Sequence, residues 1–126
     1  MPDYRKKGIE IADKMLDPAI SGWLKSVQGG KGLDSAMGEV ALDFAFGAVW
    51  ARPGLSMDKR SAVVLGILIA SNQADELRIH LGVALKNGLS RQEIDEIILQ
   101  AAPYAGFPAV ARAAGVWREV LAALPV

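Results

Sequence analysis

The sequence predicts an all-α protein of six or seven short helices, and three observations predict it. Residues that start and stop helices recur along the chain, and apolar residues repeat with helical spacing. No segment alternates apolar and polar residues between turn residues, as a half-buried strand would. The length of 126 residues suits one domain. We therefore expect a single domain, residues 1–126, without a sheet.

The first helices are marked by acidic residues at their starts. Asp17-Pro18 is typical of an N-cap followed by the first helical residue, because proline pre-sets the helical φ angle and lacks an amide that the helix could not pair. Asp34 is then expected to cap a helix that runs to about Trp50.

The next helix carries the longest apolar run of the chain. Ser56 is expected to cap a helix over residues 57–71. Its residues 62–70 are apolar all round, which predicts a helix that is buried on every side. In so small a domain, complete burial is easiest if a second subunit covers part of this helix.

The later helices have clear boundaries. Asn87-Gly88 predicts a helix stop, because glycine adopts the left-handed conformation at little cost. Ser90 and Glu93 fit a capping box, in which each side chain pairs with the other residue's backbone amide. A last helix is expected over residues 108–124, and Pro103 should kink or end the helix before it, just past the proline.

Composition excludes several classes of site. The chain has no cysteine and one histidine, so it lacks disulfides, thiol nucleophiles, CxxC redox centres and multi-histidine metal sites. Lysine plus arginine and aspartate plus glutamate number 14 each, which predicts neither nucleic-acid nor membrane binding. The N-terminus does not resemble a signal peptide, the longest apolar run is too short for a membrane helix, and we expect a cytoplasmic protein with no metal.

One helix carries an unusual polar group. At roughly 100° per residue, Gln73, Glu76 and His80 fall between two apolar flanks, in the middle of a face that should be buried. Burying such side chains is costly unless they are paired. Glu76 and His80 are spaced i, i+4 and can pair as a core or interface pair. The third polar residue favours a polar pocket instead.

Four blocks of the chain resemble conserved blocks of a known family. They are Phe46 to Leu55 (FGAVWARPGL), Lys59 to Ser61, Glu76 to Leu89 (ELRIHLGVALKNGL), and Glu93 to Gln100 with Tyr104 to Pro108 (YAGFP). In this order, with an opening at Tyr4 to Gly8, they resemble the carboxymuconolactone decarboxylase family over nearly the whole chain. The resemblance implies an alkylhydroperoxidase-D-like helical fold that assembles as a dimer, often as a trimer of dimers.

The resemblance also separates this chain from peroxidase-type relatives. Those relatives carry CxxC ahead of a histidine, and alignment on His80 puts Gln73 and Glu76 at the two cysteine positions. Ala105 and residues 109–111 depart from the decarboxylase pattern near the expected pocket wall, and they put the substrate in question more than the fold.

The implied activity is cofactor-independent decarboxylation of 4-carboxymuconolactone to the enol-lactone of 3-oxoadipate, in the degradation of aromatic compounds. His80 is the expected general acid or donor to the dienolate oxygen. Glu76 is expected to orient His80 and keep it protonated, or to carry the proton itself. Two alternatives stay open: a decarboxylase or isomerase for another small lactone or keto acid, and a non-catalytic oligomer that binds a small acidic metabolite.

Five further residues are candidates for substrate binding. Arg52 suits a substrate carboxylate because its planar guanidinium binds carboxylates with two hydrogen bonds, although a cap or surface ion pair is equally open. Trp50 is a pocket wall or a core residue, and Tyr104 a pocket hydroxyl or an interface aromatic. Gln73 belongs to the polar pocket, and Arg60 binds a second carboxylate or is simply solvated.

Overall fold

The computed structural model describes residues 3–125, which form seven α-helices, one π-helix and no strand. The elements are α1 (Tyr4–Met15), α2 (Pro18–Ser26), α3 (Leu33–Val40), the π-helix (Ala41–Trp50), α4 (Met57–Ala70), α5 (Ala74–Lys86), α6 (Arg91–Ala105) and α7 (Phe107–Ala123). The all-α prediction is confirmed. Among the described residues no helix is both long and apolar enough to cross a membrane.

The chain forms two compact units, one ending at Leu55 and the other beginning at Ser56. In the first unit, α1 packs against the π-helix at two glycines. A Cβ added to Gly8 would lie 1.8 Å from the Leu42 carbonyl oxygen, and one added to Gly47 would lie 2.1 Å from that of Tyr4. Because both obstacles are backbone atoms, only glycine allows the two helices to come this close.

A half-buried ion pair joins the same two helices of the first unit. The Arg5 guanidinium donates two hydrogen bonds to the Asp43 carboxylate, one of them 2.8 Å long, and a third of 2.9 Å to Gln28. The hydrogen bond from Arg5 lowers the pKa of the Asp43 carboxyl. The paired charges help to fix α1 on the π-helix.

The second unit consists of α4 to α7 around an apolar core. Four aliphatic side chains are almost fully buried in it: Leu65, Ile69, Leu81 and Ile94. Trp117 packs in the same core and donates its Nε1 hydrogen to Asp95, at 2.8 Å, which ties α7 to α6. A buried tryptophan keeps its polar atom satisfied in this way.

Most of the predicted helix boundaries are confirmed. The Asp17 side chain accepts from the backbone of Ala19, with Pro18 as the first residue of α2. Ser90 and Glu93 form both hydrogen bonds of the capping box. Helix α5 ends at Lys86, before Gly88 with its φ of 104°.

One expected cap is wrong: Gly32 occupies the N-cap of α3, which begins two residues earlier than expected and places Asp34 in its first turn. The expected end of α6 just past Pro103 is confirmed, because the helix ends at Ala105 and Gly106 follows with a φ of 92°. Within one chain α4 leaves Val63 and Ile67 56% and 60% exposed, so its complete burial by a second subunit stays a prediction.

Candidate active site

Helix α5 brings together the three polar residues that its sequence singled out. Gln73 is the N-cap residue, Glu76 lies in the first turn, and His80 follows one turn later. The helix is anchored on its other side by Leu77 and Leu81, which are 3% and 0% exposed. Residues four apart on a helix are neighbours, so the backbone alone holds Glu76 beside His80.

The three side chains differ in how far they are buried. Gln73 and Glu76 are exposed, whereas His80 is half-buried and its Nδ1 atom is fully buried. The prediction that all three lie in the middle of a buried face is therefore wrong for Gln73 and Glu76. The buried stripe runs through Leu77 and Leu81, and Glu76 falls roughly 100° to one side of it.

Burial controls the ionisation of His80. Desolvation lowers the pKa of the imidazole below its ordinary 6.5, and the negative charge of Glu76 opposes this more weakly by raising the pKa. Glu76 thus favours the protonated imidazole, as expected, while burial opposes it more strongly, and the role of Glu76 in keeping His80 protonated stays a prediction. An anion bound beside the imidazole would favour the protonated form.

The other predicted site residues of this unit lie on other helices. Arg60 is half-buried in the first turn of α4. Tyr104 is 89% exposed in the last turn of α6, and Phe107 just beyond it is 76% exposed. This exposure favours an interface aromatic for Tyr104 over a pocket hydroxyl.

Two predicted residues belong to the first unit. Trp50 ends the π-helix and is 9% exposed, which favours its interpretation as a core residue. Arg52 follows the helix and has an exposed side chain. π-Helical turns are rare and are frequently found at functional sites. This segment therefore stays a candidate part of the site.

The second unit contains an open groove between α4 and α6. It has a cavity volume of about 460 Å³, with Ala62, Leu89 and Ile97 as its apolar lining and Lys59 among the charged residues at its edge. His80 and Glu76 do not line it. Within residues 3–125 no group of three or more potential metal-ligating side chains is found.

One polar pair beside Gln73 has no signature in the local sequence. Asn72, directly before Gln73, has a φ of 56° and accepts hydrogen bonds from the Arg112 side chain of α7. Asn72, Gln73 and Arg112 all line a small cavity of about 20 Å³. Because the two partners are 40 residues apart, no local pattern could have indicated the contact.

Comparison with known proteins finds two similar decarboxylases and one matching family model. A 4-carboxymuconolactone decarboxylase of Acinetobacter baylyi is 44% identical over 77 residues, which is 61% of this chain and 58% of the relative. A nitrosuccinic acid decarboxylase of Metarhizium robertsii is 37% identical over 83 residues, 66% of this chain and 58% of the relative. The match thus spans less than two thirds of either relative. The model of the carboxymuconolactone decarboxylase family matches residues 36–119, and the chain belongs to that family.

Proposed function

We propose that the chain decarboxylates a small organic acid that carries a second carboxylate, and that 4-carboxymuconolactone is the first substrate to test. The observation that carries the proposal is the half-buried His80 beside the exposed carboxylate of Glu76 on α5. Two relatives of the chain are named as decarboxylases, one of them for this lactone. The proposal needs no cofactor, because the substrate itself can hold the electrons.

The chemistry has two steps. The bond between the ring carbon and its carboxylate breaks, carbon dioxide leaves, and the electron pair moves through the ring double bond to the lactone carbonyl oxygen. The resulting dienolate then takes a proton on the carbon next to that carbonyl, giving the enol-lactone. The protein has to bind a dianion, stabilise the dienolate and deliver one proton. Preorganised donors that face the developing charge contribute most to such rates.

His80 is the proposed proton donor. Without ligand its pKa is lowered by burial, and a dianion bound next to it would raise that pKa again, so that substrate and proton are taken up together. Glu76 is exposed and one turn away, where it can orient the imidazole and exchange its proton with solvent. Gln73 adds an exposed amide that can donate to a substrate oxygen.

The roles of the remaining candidates stay predictions. Arg60 and Arg52 have the right chemistry to bind substrate carboxylates, and Trp50 and Tyr104 to contact the ring. We also propose a homo-oligomer, because Val63 and Ile67 on α4 expose apolar surface that a second copy would cover. Light scattering after size exclusion tests it, and a monomer at micromolar concentration would contradict it.

A second candidate substrate is a nitro acid, and the Metarhizium relative favours it. In nitrosuccinic acid a carboxylate and a nitro group share one carbon, so loss of carbon dioxide leaves an electron pair that the nitro oxygens can hold. The lactone and the nitro acid are therefore alike in three respects. Both are acidic dianions, both contain an internal electron acceptor, and in both a carbon needs a proton after carbon dioxide has left. The same side chains of α5 suit both.

The experiment is a direct assay of purified protein with each acid. We expect release of carbon dioxide, together with loss of the lactone or nitro-acid absorbance, above the spontaneous rate. A panel of lactone and keto acids covers the alternative decarboxylase and isomerase activities. Calorimetric binding of these acids without turnover of any of them would overturn the proposal in favour of a metabolite-binding oligomer.

A further inference from the structure

The turn between α4 and α5 holds a residue in an unfavourable backbone conformation. Asn72 has a φ of 56° and is the only non-glycine residue with positive φ within residues 3–125. The turn is closed by a hydrogen bond of 3.0 Å from the backbone amide of Gln73 to the carbonyl oxygen of Leu68. Ser71 adds a side-chain bond of 2.7 Å to the Ile67 carbonyl oxygen. The start of α5 is thus set by this turn.

A charged side chain of α7 forms hydrogen bonds with the turn between α4 and α5. Arg112 of α7 donates from Nε, at 3.1 Å, and from Nη2, at 2.5 Å, to the Oδ1 atom of Asn72. Both donors meet one amide oxygen, so the guanidinium holds the asparagine side chain in a defined orientation. Hydrogen bonds from a charged donor are stronger than neutral ones.

The choice of residue indicates that the side chain at position 72 has a role. Glycine adopts a left-handed conformation at lower cost than any other residue, with asparagine and aspartate next. A turn selected for its backbone alone would favour glycine here. Asparagine adopts this conformation at a higher cost in free energy than glycine, but its side-chain oxygen can accept hydrogen bonds from Arg112.

We propose that Arg112 and Asn72 form a latch that positions the start of α5, and through it Glu76 and His80, for the reaction. The inference rests on the proposed function for its catalytic consequence. Gln73 follows Asn72 directly, and Glu76 and His80 lie on the first two turns after it, so a shift of the turn moves all three. In enzymes a misplacement of about 1 Å can cost roughly 100-fold in rate. Arg112 and Asn72 act in this proposal as positioning residues, through the backbone at the start of α5.

The test compares variants that break the latch with variants that keep it. Asn72→Gly preserves the left-handed turn and removes the oxygen, and Arg112→Ala removes the donors. We expect each to lower kcat about 10-fold, and the double variant no further, because the two residues act as one unit. Asn72→Asp keeps an acceptor and tolerates the conformation, so it should keep kcat near the wild-type value. Arg112→Lys keeps the charge, so its kcat should lie between those of Arg112→Ala and the wild type. Arg118→Ala, on the same helix and exposed, is the matched control and should match wild type.

A second measurement does not depend on activity. His80 is the only histidine, so its imidazole gives a single set of NMR signals in the folded protein. We expect Asn72→Gly and Arg112→Ala to shift these signals and the pKa of His80, and Asn72→Asp to leave them near wild type. The latch is overturned if the two disruptive variants lower the melting temperature but leave kcat and the His80 signals unchanged, or if Arg118→Ala causes shifts of the same size. The signals report on the latch even if the wild type shows no decarboxylation.

Discussion

Two segments carry most of the family's sequence blocks, and they use their distinctive residues differently. In residues 46–55 the distinctive residues pack: Gly47 gives room to the Tyr4 carbonyl oxygen, and Trp50 is 9% exposed. In residues 76–89 the distinctive polar residues are accessible, since Glu76 is exposed and His80 half-buried. The residues of the first segment pack within the first unit, whereas the second segment leaves titratable side chains accessible.

The residues of one family block can therefore have different roles and have to be interpreted one by one. A small or aromatic residue inside a block indicates close packing when a backbone atom lies where its Cβ would be. A titratable residue at helical spacing beside an apolar stripe indicates chemistry when its pKa is shifted by burial. Variants of the packing glycine Gly47 and of His80 should therefore fail in different ways: Gly47→Ala should lose stability, and His80→Gln should lose rate without losing the fold.

The largest expected effect is the loss of turnover in His80→Gln. Proton transfer by a positioned imidazole contributes about 10²–10⁴-fold, so kcat should fall by a factor in that range. The fold should persist, because glutamine occupies a half-buried position without adding charge. Steady-state kinetics and circular dichroism on the same sample measure both. Gly82→Ala on the same helix is the control, since a Cβ there meets no atom within 4 Å. Wild-type kcat in His80→Gln would remove the proposed proton donor.

The next effect is the loss of stability in Gly47→Ala. A Cβ at this position lies 2.1 Å from the Tyr4 carbonyl oxygen, and a backbone atom cannot step aside as a flexible side chain can. Overpacking costs typically about 1–3 kcal/mol in the free energy of unfolding and occasionally more, and a backbone obstacle places Gly47→Ala at the upper end of that range. Denaturant unfolding followed by tryptophan fluorescence measures it.

The matched control for this effect lies in the same unit. Gly22 is in the middle of α2 and a Cβ added to it meets nothing within 4 Å. Gly22→Ala should therefore keep or raise stability, by up to about 1 kcal/mol, because alanine favours a helix interior over glycine. Equal unfolding curves for Gly47→Ala and Gly22→Ala would show that the close approach of α1 and the π-helix contributes nothing.

Whether a feature of the fold could be predicted depends on how far apart in the sequence its interacting residues lie. The Asp17 cap, the capping box of Ser90 and the stop at Gly88 depend on residues within one turn, and the sequence predicted them. A helix that ends near Trp50 was predicted, but the π form of Ala41 to Trp50 was not. Its packing on α1 through Gly8 and Gly47 joins segments far apart in the chain, which no local pattern records.

The candidate site divides in the same way. The spacing of Gln73, Glu76 and His80 places them on one side of α5 in any α-helix, and this was predicted. Their exposure depends on which neighbours pack against α5, and the sequence-based expectation of burial was wrong for the first two. The contact of Asn72 with Arg112 depends on the packing of α7, 40 residues further along the chain.

The smallest effect we predict is a change of stability with pH, and His80 sets its sign. The pKa of His80 in the folded protein lies below the ordinary 6.5, so between the two values the unfolded chain binds more protons than the folded one. The contribution of neutral His80 to stability is thus fully present above about pH 6.5 and is lost as the pH falls through the lowered pKa. Wild type should lose more stability than His80→Gln between pH 7.5 and pH 5.5, whereas carboxylates affect both proteins alike.

An NMR titration of the single histidine sharpens this prediction. The imidazole of wild type should titrate below 6.5, because burial lowers its pKa more than Glu76 raises it. Glu76→Gln removes the opposing charge and should lower the pKa further, while Glu96→Gln, an exposed carboxylate on α6, serves as the control. A wild-type pKa above 6.5 would mean that Glu76 outweighs burial. His80 would then be charged before substrate arrives, as the sequence had suggested, and proton uptake would no longer accompany binding.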